Sequence, residues 1–272
     1  MISRTRQIWA FLYRDHQLTK RYFSWVVVFT VYAVFSGASV ALIGVASHDT
    51  KLTLTLTIGV LFWSFLSVLF SEVAMSIAYE RWEGTLEYTF MAPVSRLIHL
   101  AGVSLYASFY SVVRALAVLG GLFVFLDLDL RGANLPGLLV VLAVSSVAFI
   151  GLGLIAATLP VMSPERGAEA TNIFQSILLL ISGIYYPISV LPKWVQPLSI
   201  LSPATYALRA SRKLLGVDRM QDGRLHGASL SDVLPELIAL MAMGIVLVPL
   251  GLWIFARVEN WAKRTGKLKR TG

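Results

Sequence analysis

An all-α integral membrane protein with six transmembrane helices is the fold this sequence predicts, on three observations. Of 272 residues, 57% are hydrophobic and only 14% are charged, far fewer than the ~25% with which a soluble domain covers its surface. Windows of ~20 apolar residues, each able to cross ~30 Å of hydrocarbon, recur along the chain, and the mean hydropathy is +0.73. The ~10-residue alternating segments of a barrel are absent, and helices satisfy every backbone polar group inside lipid.

The elements follow in order. Residues 1–22 form an N-terminal unit in which Ile8, Phe11, Leu12, Leu18 and Tyr22 recur at roughly helical spacing, with Arg4, Arg6, Arg14, Lys20 and Arg21 between them. The pattern predicts a basic amphipathic helix over 3–22 lying in the headgroup layer against membrane lipids, and Trp9 in its apolar stripe suits that interface. It does not read as a cleavable signal, because the apolar run that follows exceeds a signal core of about 7–15 residues. Six spans make up a transmembrane unit over 23–256, at about 23–46, 53–79, 98–126, 137–161, 171–191 and 233–256. Ser163 and Pro164 suit a helix start, with Glu165 favourable in the first turn.

Before the sixth span, residues 187–232 carry Pro187, Pro192, Pro197 and Pro203 yet stay largely apolar, with Trp194 among them. Proline stops helices, so short broken helices are predicted, dipping partway into the outer leaflet and returning. Ser202 and Pro203 read as a cap and a first helical residue. A basic tail, 257–272, closes the chain. Placing both termini in the cytoplasm puts 14 lysines and arginines on inner segments and 8 on outer ones. The outer connector at 193–224 holds six of those eight and opposes the trend. A multi-pass protein of the cytoplasmic membrane is the expectation.

The net charge of +8 fits cytoplasmic flanks and anionic lipid, with no nucleic acid implied. There are no cysteines, which excludes disulfide and thiolate chemistry. His99 and His226 stand apart in the sequence from each other and from carboxylate clusters, so neither a metal site nor a catalytic constellation is expected. Glu72 in the second span and Arg114 in the third lie at similar distances from the hairpin between them. They read as an intramembrane pair, serving either as a gate on a substrate path or as a structural ion pair. Phe174, Gln175, Tyr185 and Tyr186 are candidates to line such a path, and equally candidates for packing. The small residues Ala33, Gly37 and Ala41, and Gly151 with Gly153, permit close helix contacts within the protomer or across a dimer seam.

The densest charge lies in AYERWEGTLEYTFMAPVSRL, residues 78–97. Glu80, Glu83 and Glu87 share one face if the segment is helical. Gly84 interrupts that helix, and Pro93 ends one segment and permits another. Such a piece suits either a solvated hairpin or a short helix presented to a partner's groove. The segment closely resembles the one after the second membrane helix in permeases of type-2 ABC transporters. The family pattern is met by Glu80, Arg81, Gly84, Thr85, Leu86, Glu87, Pro93, Val94, Ser95 and Arg96, and the looser likeness runs over nearly the whole chain.

The resemblance implies that residues 80–97, Glu83 included, form a cytoplasmic coupling helix docking on a separate ATP-binding subunit. It implies two copies of that subunit, and a second permease copy or a paralogue. It also implies export of a hydrophobic or amphipathic substrate, and an outer segment that re-enters the membrane between helices five and six. This chain has no G-x-x-x-x-G-K-[ST] phosphate loop, so it is not expected to be an enzyme or to bind a cofactor, and ATP and Mg would sit on the partner. A stand-alone ion-coupled transporter working through Glu72 is the competing expectation.

Overall fold

The computed structural model describes residues 3–85, 88–89, 94–126, 131–163, 166–217 and 225–266. Among them the chain is helical with no strand. Its helices are α1 (Arg4–Arg21), α2 (Phe23–Ala46), α3 (Thr50–Trp82), α4 (Arg96–Leu126), α5 (Leu135–Ala156), α6 (Thr158–Met162), α7 (Gly167–Ile181), α8 (Gln196–Ile200), α9 (Pro203–Leu214) and α10 (Leu234–Arg264). Two 3-10 turns, Ile188–Val190 and Leu230–Val233, precede α8 and α10.

Among the described residues, five helical segments are long and apolar enough to span a bilayer: α2, α3, α4, α5 together with α6, and α10 with the turn before it. The expected fifth span is occupied by α7, whose 15 residues rise about 22 Å, short of a ~30 Å hydrocarbon layer. It stops at Ile181 because Gly183 takes φ +65° and Pro187 follows. It starts at Gly167, with Arg166 at the cap position; Pro164 and Glu165 lie outside the described residues.

The core centres on α3. In its most apolar window 78% of residues are buried by protein, against 17% for α2 and 22% for α10. Leu61, Phe62, Phe65, Leu69 and Phe70 are fully enclosed, while Tyr32, Phe35 and Ile43 of α2 and Ile245 and Val246 of α10 face outward, as lipid contacts do. α2 and α4 pack on one side of α3, α5 and α7 on others, and α10 pairs with α5. The N-terminal helix lies against α4: Phe11 sits over Gly102 and packs tilted against the His99 ring at 4.8 Å.

Small residues set the closest approaches, within the protomer. A Cβ on Gly37 would overlap Val60 of α3. Gly153 faces Val73. A Cβ on Gly151 would meet the Leu247 carbonyl carbon at 2.5 Å, and one on Gly251 would meet the Gly151 oxygen at 2.6 Å, so α5 and α10 cross nearly backbone to backbone.

The proline-rich stretch after α7 is a chain of short helices, as its sequence predicts. Pro197 and Pro203 sit in the first turns of α8 and α9, and Ser202 occupies the α9 cap position without a side-chain cap bond. This end is closed by backbone pairing. Asn134 N–H donates to Leu214 O at 2.9 Å, Gly227 N–H to Gly132 O at 2.9 Å, and Ala228 N–H to Lys213 O at 3.0 Å. The Asn134 amide also donates to Ala228 O and accepts from Gly137 N–H.

Replacing Gly151 by Val forces α5 and α10 apart. Overpacking of this kind typically costs about 1–3 kcal/mol. The expected outcome is a lower melting temperature in detergent, whereas Gly120→Ala, where an added Cβ meets nothing within 4 Å, leaves it unchanged.

Candidate functional site

The charged stretch begins inside α3. That helix runs to Trp82 and closes on Gly84, at φ +75°. Gly84 N–H bonds to Arg81 O at 3.1 Å and Thr85 N–H to Glu80 O at 2.8 Å. These are the two bonds of a Schellman termination, which needs a left-handed residue where glycine stands. Thr85 Oγ1 adds a third bond to Glu80 O. Glu80 and Glu83, three apart, therefore differ in their surroundings. Glu80 belongs to the helix and points inward, Glu83 is the exposed cap residue, and Glu87, like Leu86 and Pro93, lies outside the described residues.

Glu80 and Arg81 are both buried, and each is held by other elements. One carboxylate oxygen of Glu80 accepts from Arg14 Nη1 of α1 at 2.9 Å and lies 3.2 Å from His99 Nε2 of α4. Arg14 Nε also donates to Asp15 at 2.9 Å. Burial pushes the Asp15 carboxyl above its ordinary value, even though Arg14 beside it favours the charged form. Arg81 reaches the other way: its Nη1 donates to Val161 O at 2.6 Å and to Pro160 O at 3.1 Å. Those carbonyls end α6 and have no acceptor role left inside so short a helix, so the guanidinium completes its C-terminus.

A second anchor stands where the chain re-enters the bundle. Ser95 O accepts from Ile98 and His99 N–H, starting α4. Arg96 Nε donates to Glu259 of α10 at 3.2 Å, and Lys263 reaches the same carboxylate at 2.7 Å. Glu259 is buried under this pair. The stretch from Glu83 to Ser95 is thus tied at one end to α1, α4 and α6, and at the other to α10. In between, Glu83, Thr85 and Tyr88 are exposed, Tyr88 at 78%, and Val94 is half-buried.

Glu72 is half-buried on α3, and Arg114 lies within electrostatic reach of it. No ion pair within 4.0 Å joins them among the described residues. Arg114 Nη2 instead donates to Phe29 O of α2 at 3.1 Å, so the neighbouring helix intercepts it. Phe174 stacks on Phe70 at 5.9 Å, while Gln175 is buried with its amide nitrogen unsatisfied among the described residues. Tyr185 packs beside Gly59, and Tyr186 O–H donates to Leu180 O at 2.5 Å. The first two lie on α7 and the tyrosines beyond its end, so the four are not gathered around one point.

Arg14, His99 and Glu259 escape a reading of the sequence. Arg14 looks like one more arginine on a basic helix, His99 looks isolated, and Glu259 sits 163 positions from Arg96. Only the low tolerance for unpaired charge near a membrane signals that Glu80, Arg81 and Arg96 must have partners.

Residues 6–215 match the family model described as ABC-2 type transporter. A stretch of 119 residues is 24% identical to the linearmycin resistance permease protein LnrN of Bacillus subtilis (strain 168), covering 44% of this chain. The match spans 28% of that protein's length.

Replacing Glu80 by Leu strands Arg14 and His99 and loosens α1 from the bundle. Leaving a buried partner unmatched costs about 1–3 kcal/mol, at the lower end here because Arg14 is partly exposed. The measurement is thermal unfolding in detergent, with Glu83→Ala as the exposed control expected to shift stability by less than about 0.5 kcal/mol.

Proposed function

The chain belongs to the ABC-2 type transporter family, and on that premise we propose that it is the permease subunit of an ATP-driven exporter. It moves a hydrophobic or amphipathic substrate, of drug, lipid or glycolipid kind, out across the cytoplasmic membrane by alternating access. Both termini are cytoplasmic, α7 with the segment after it stands as the fifth crossing, and the stretch from 187 to 232 re-enters the outer leaflet. Two permease chains, identical or paralogous, work with two ATP-binding subunits that hold ATP and Mg.

The observation that carries this reading is the hairpin between α3 and α4. It matches the coupling motif, shows Glu83, Thr85 and Tyr88 to solvent, and has both ends tied into the bundle. A partner that moves the exposed stretch therefore pulls on α1, α4 and α6 through Glu80 and Arg81, and on α10 through Arg96. Glu80, Arg81 and Arg96 transmit; Glu83, Thr85 and Tyr88 dock. The relative's name, a resistance permease, fits outward movement.

Affinity purification of the chain from its native membrane, followed by mass spectrometry, tests the partner. A stoichiometric protein carrying a phosphate loop is expected, with retention weakened about tenfold by Glu83→Arg combined with Tyr88→Ala, the scale of ~1.4 kcal/mol of lost contact. A preparation free of any ATPase yet active in reconstituted transport overturns the reading and redirects attention to Glu72. Glu259→Gln should keep the partner bound but lower ATP-driven transport. Reversing the pair, Arg96→Glu with Glu259→Arg, should recover part of it.

A further inference from the structure

At the end of the bundle opposite the α3–α4 hairpin, a cavity of about 270 Å³ opens between the C-terminal end of α7, the 3-10 turn Ile188–Val190 and α9. Among the described residues, its polar wall holds two guanidinium groups and no carboxylate. Arg209 and Arg212 are three apart on α9, so they face the same side. The Arg209 group lies 6.0 Å from the Tyr206 ring, exposed, with no carboxylate within 4.0 Å among the described residues. Arg212 Nη2 donates to the carbonyls of Ile184 at 3.2 Å and Gly183 at 3.3 Å, which holds its planar head against the floor. Ser189 adds a hydroxyl at the rim.

The opposite wall is apolar, with Pro187, Ile188 and Leu208. The segment that frames it also exposes Val190, Trp194, Ile200 and Leu201, from 60% to 78%. Exposed apolar surface of that size is what a bilayer covers. A free inorganic anion would gain nothing from it. A molecule with an anionic head and an apolar body would use both walls.

We propose that this cavity is a binding site for the phosphate or carboxylate head of an anionic amphiphile. Paired guanidiniums take such heads through short, charge-assisted, bidentate bonds. The apolar wall receives the start of the hydrocarbon. For what the ligand is doing there, the inference rests on the export reading: the site would hold an anionic substrate, or a bilayer lipid, at the exit. The binding itself needs neither ATP nor a partner.

Titration calorimetry of the purified chain in phosphatidylcholine nanodiscs tests it, with dihexanoyl phosphatidate as probe and dihexanoyl phosphatidylcholine and inorganic phosphate as controls. Saturable binding of the phosphatidate is expected, about tenfold weaker in Arg209→Gln and in Arg212→Gln. A tenfold loss corresponds to ~1.4 kcal/mol, one charge-assisted contact. Arg209→Gln is the decisive variant, because that side chain is exposed and its loss leaves the floor bonds of Arg212 intact. Equal affinity for inorganic phosphate or for the zwitterionic lipid overturns the proposal, as does binding that Arg209→Gln leaves unchanged. None of these results bears on whether an ATPase partner exists, which the purification experiment decides separately.

Discussion

The structure turns on what happens to two adjacent opposite charges at the end of its most buried helix. Glu80 and Arg81 lie buried, largely away from water, where an unpaired charge costs several kcal/mol. One residue apart on a helix, they point in different directions and cannot answer each other. Each therefore recruits other elements: Glu80 takes Arg14 and His99, and Arg81 takes the last carbonyls of α6. The requirement that buried charge be matched fixes α1, α4 and α6 around the end of α3. The glycine-closed terminus then leaves Glu83 and Thr85 exposed.

That arrangement explains how one helix can serve both sides of the bundle. α3 is enclosed along its length, with α2 and α4 on one flank and α5 and α7 elsewhere. The small-residue approaches of Gly37 to Val60 and of Val73 to Gly153 keep these neighbours close. α10 is remote from the end of α3 and packs chiefly on α5. Glu259 joins it to the start of α4 instead. The segment from Glu83 to Ser95 thus has one end held at the central helix and the other at the last one, so a displacement of it would load both contacts.

Much of this was legible in the sequence, and the residues show why. The first expected span, 23–46, coincides with Phe23–Ala46, because its apolar run is bounded by a basic cluster and by the turn at His48 and Asp49. The second and third spans extend by a few residues, since a helix does not stop where hydropathy stops. The fifth expectation differs most. Its apolar residues continue past Ile181, but Gly183 and Pro187 end the helix, so composition overstated its length. The motif at 80–96 was visible as a pattern, but the division of labour inside it was not. A pattern says that Glu80 and Glu83 are both acidic; only packing says that one is buried and the other exposed. Arg14, His99 and Glu259 were invisible because their roles depend on contacts between segments far apart in the chain.

The two ends of the bundle are held together by different forces, and the difference bears on how motion passes through it. The end that carries the α3–α4 connection is tied largely by charge: Arg14 to Glu80, Arg96 and Lys263 to Glu259. Coulomb attraction falls only as the inverse of distance, so such contacts survive a slide of an ångström or two with modest loss. At the opposite end, among the described residues, neutral hydrogen bonds recur: Asn134, Gly227 and Ala228 pair backbones, and Ser182 bonds Ser202 at 2.6 Å. These weaken steeply once donor and acceptor part beyond about 3.2 Å or lose alignment. Lys213 with Glu236 adds an ion pair there. A structure built this way yields at the end that carries the exposed hairpin. At the other end the α5 start, α9 and residues 225–229 are joined by these bonds, so a displacement reaching them would meet a tied unit rather than separate loops.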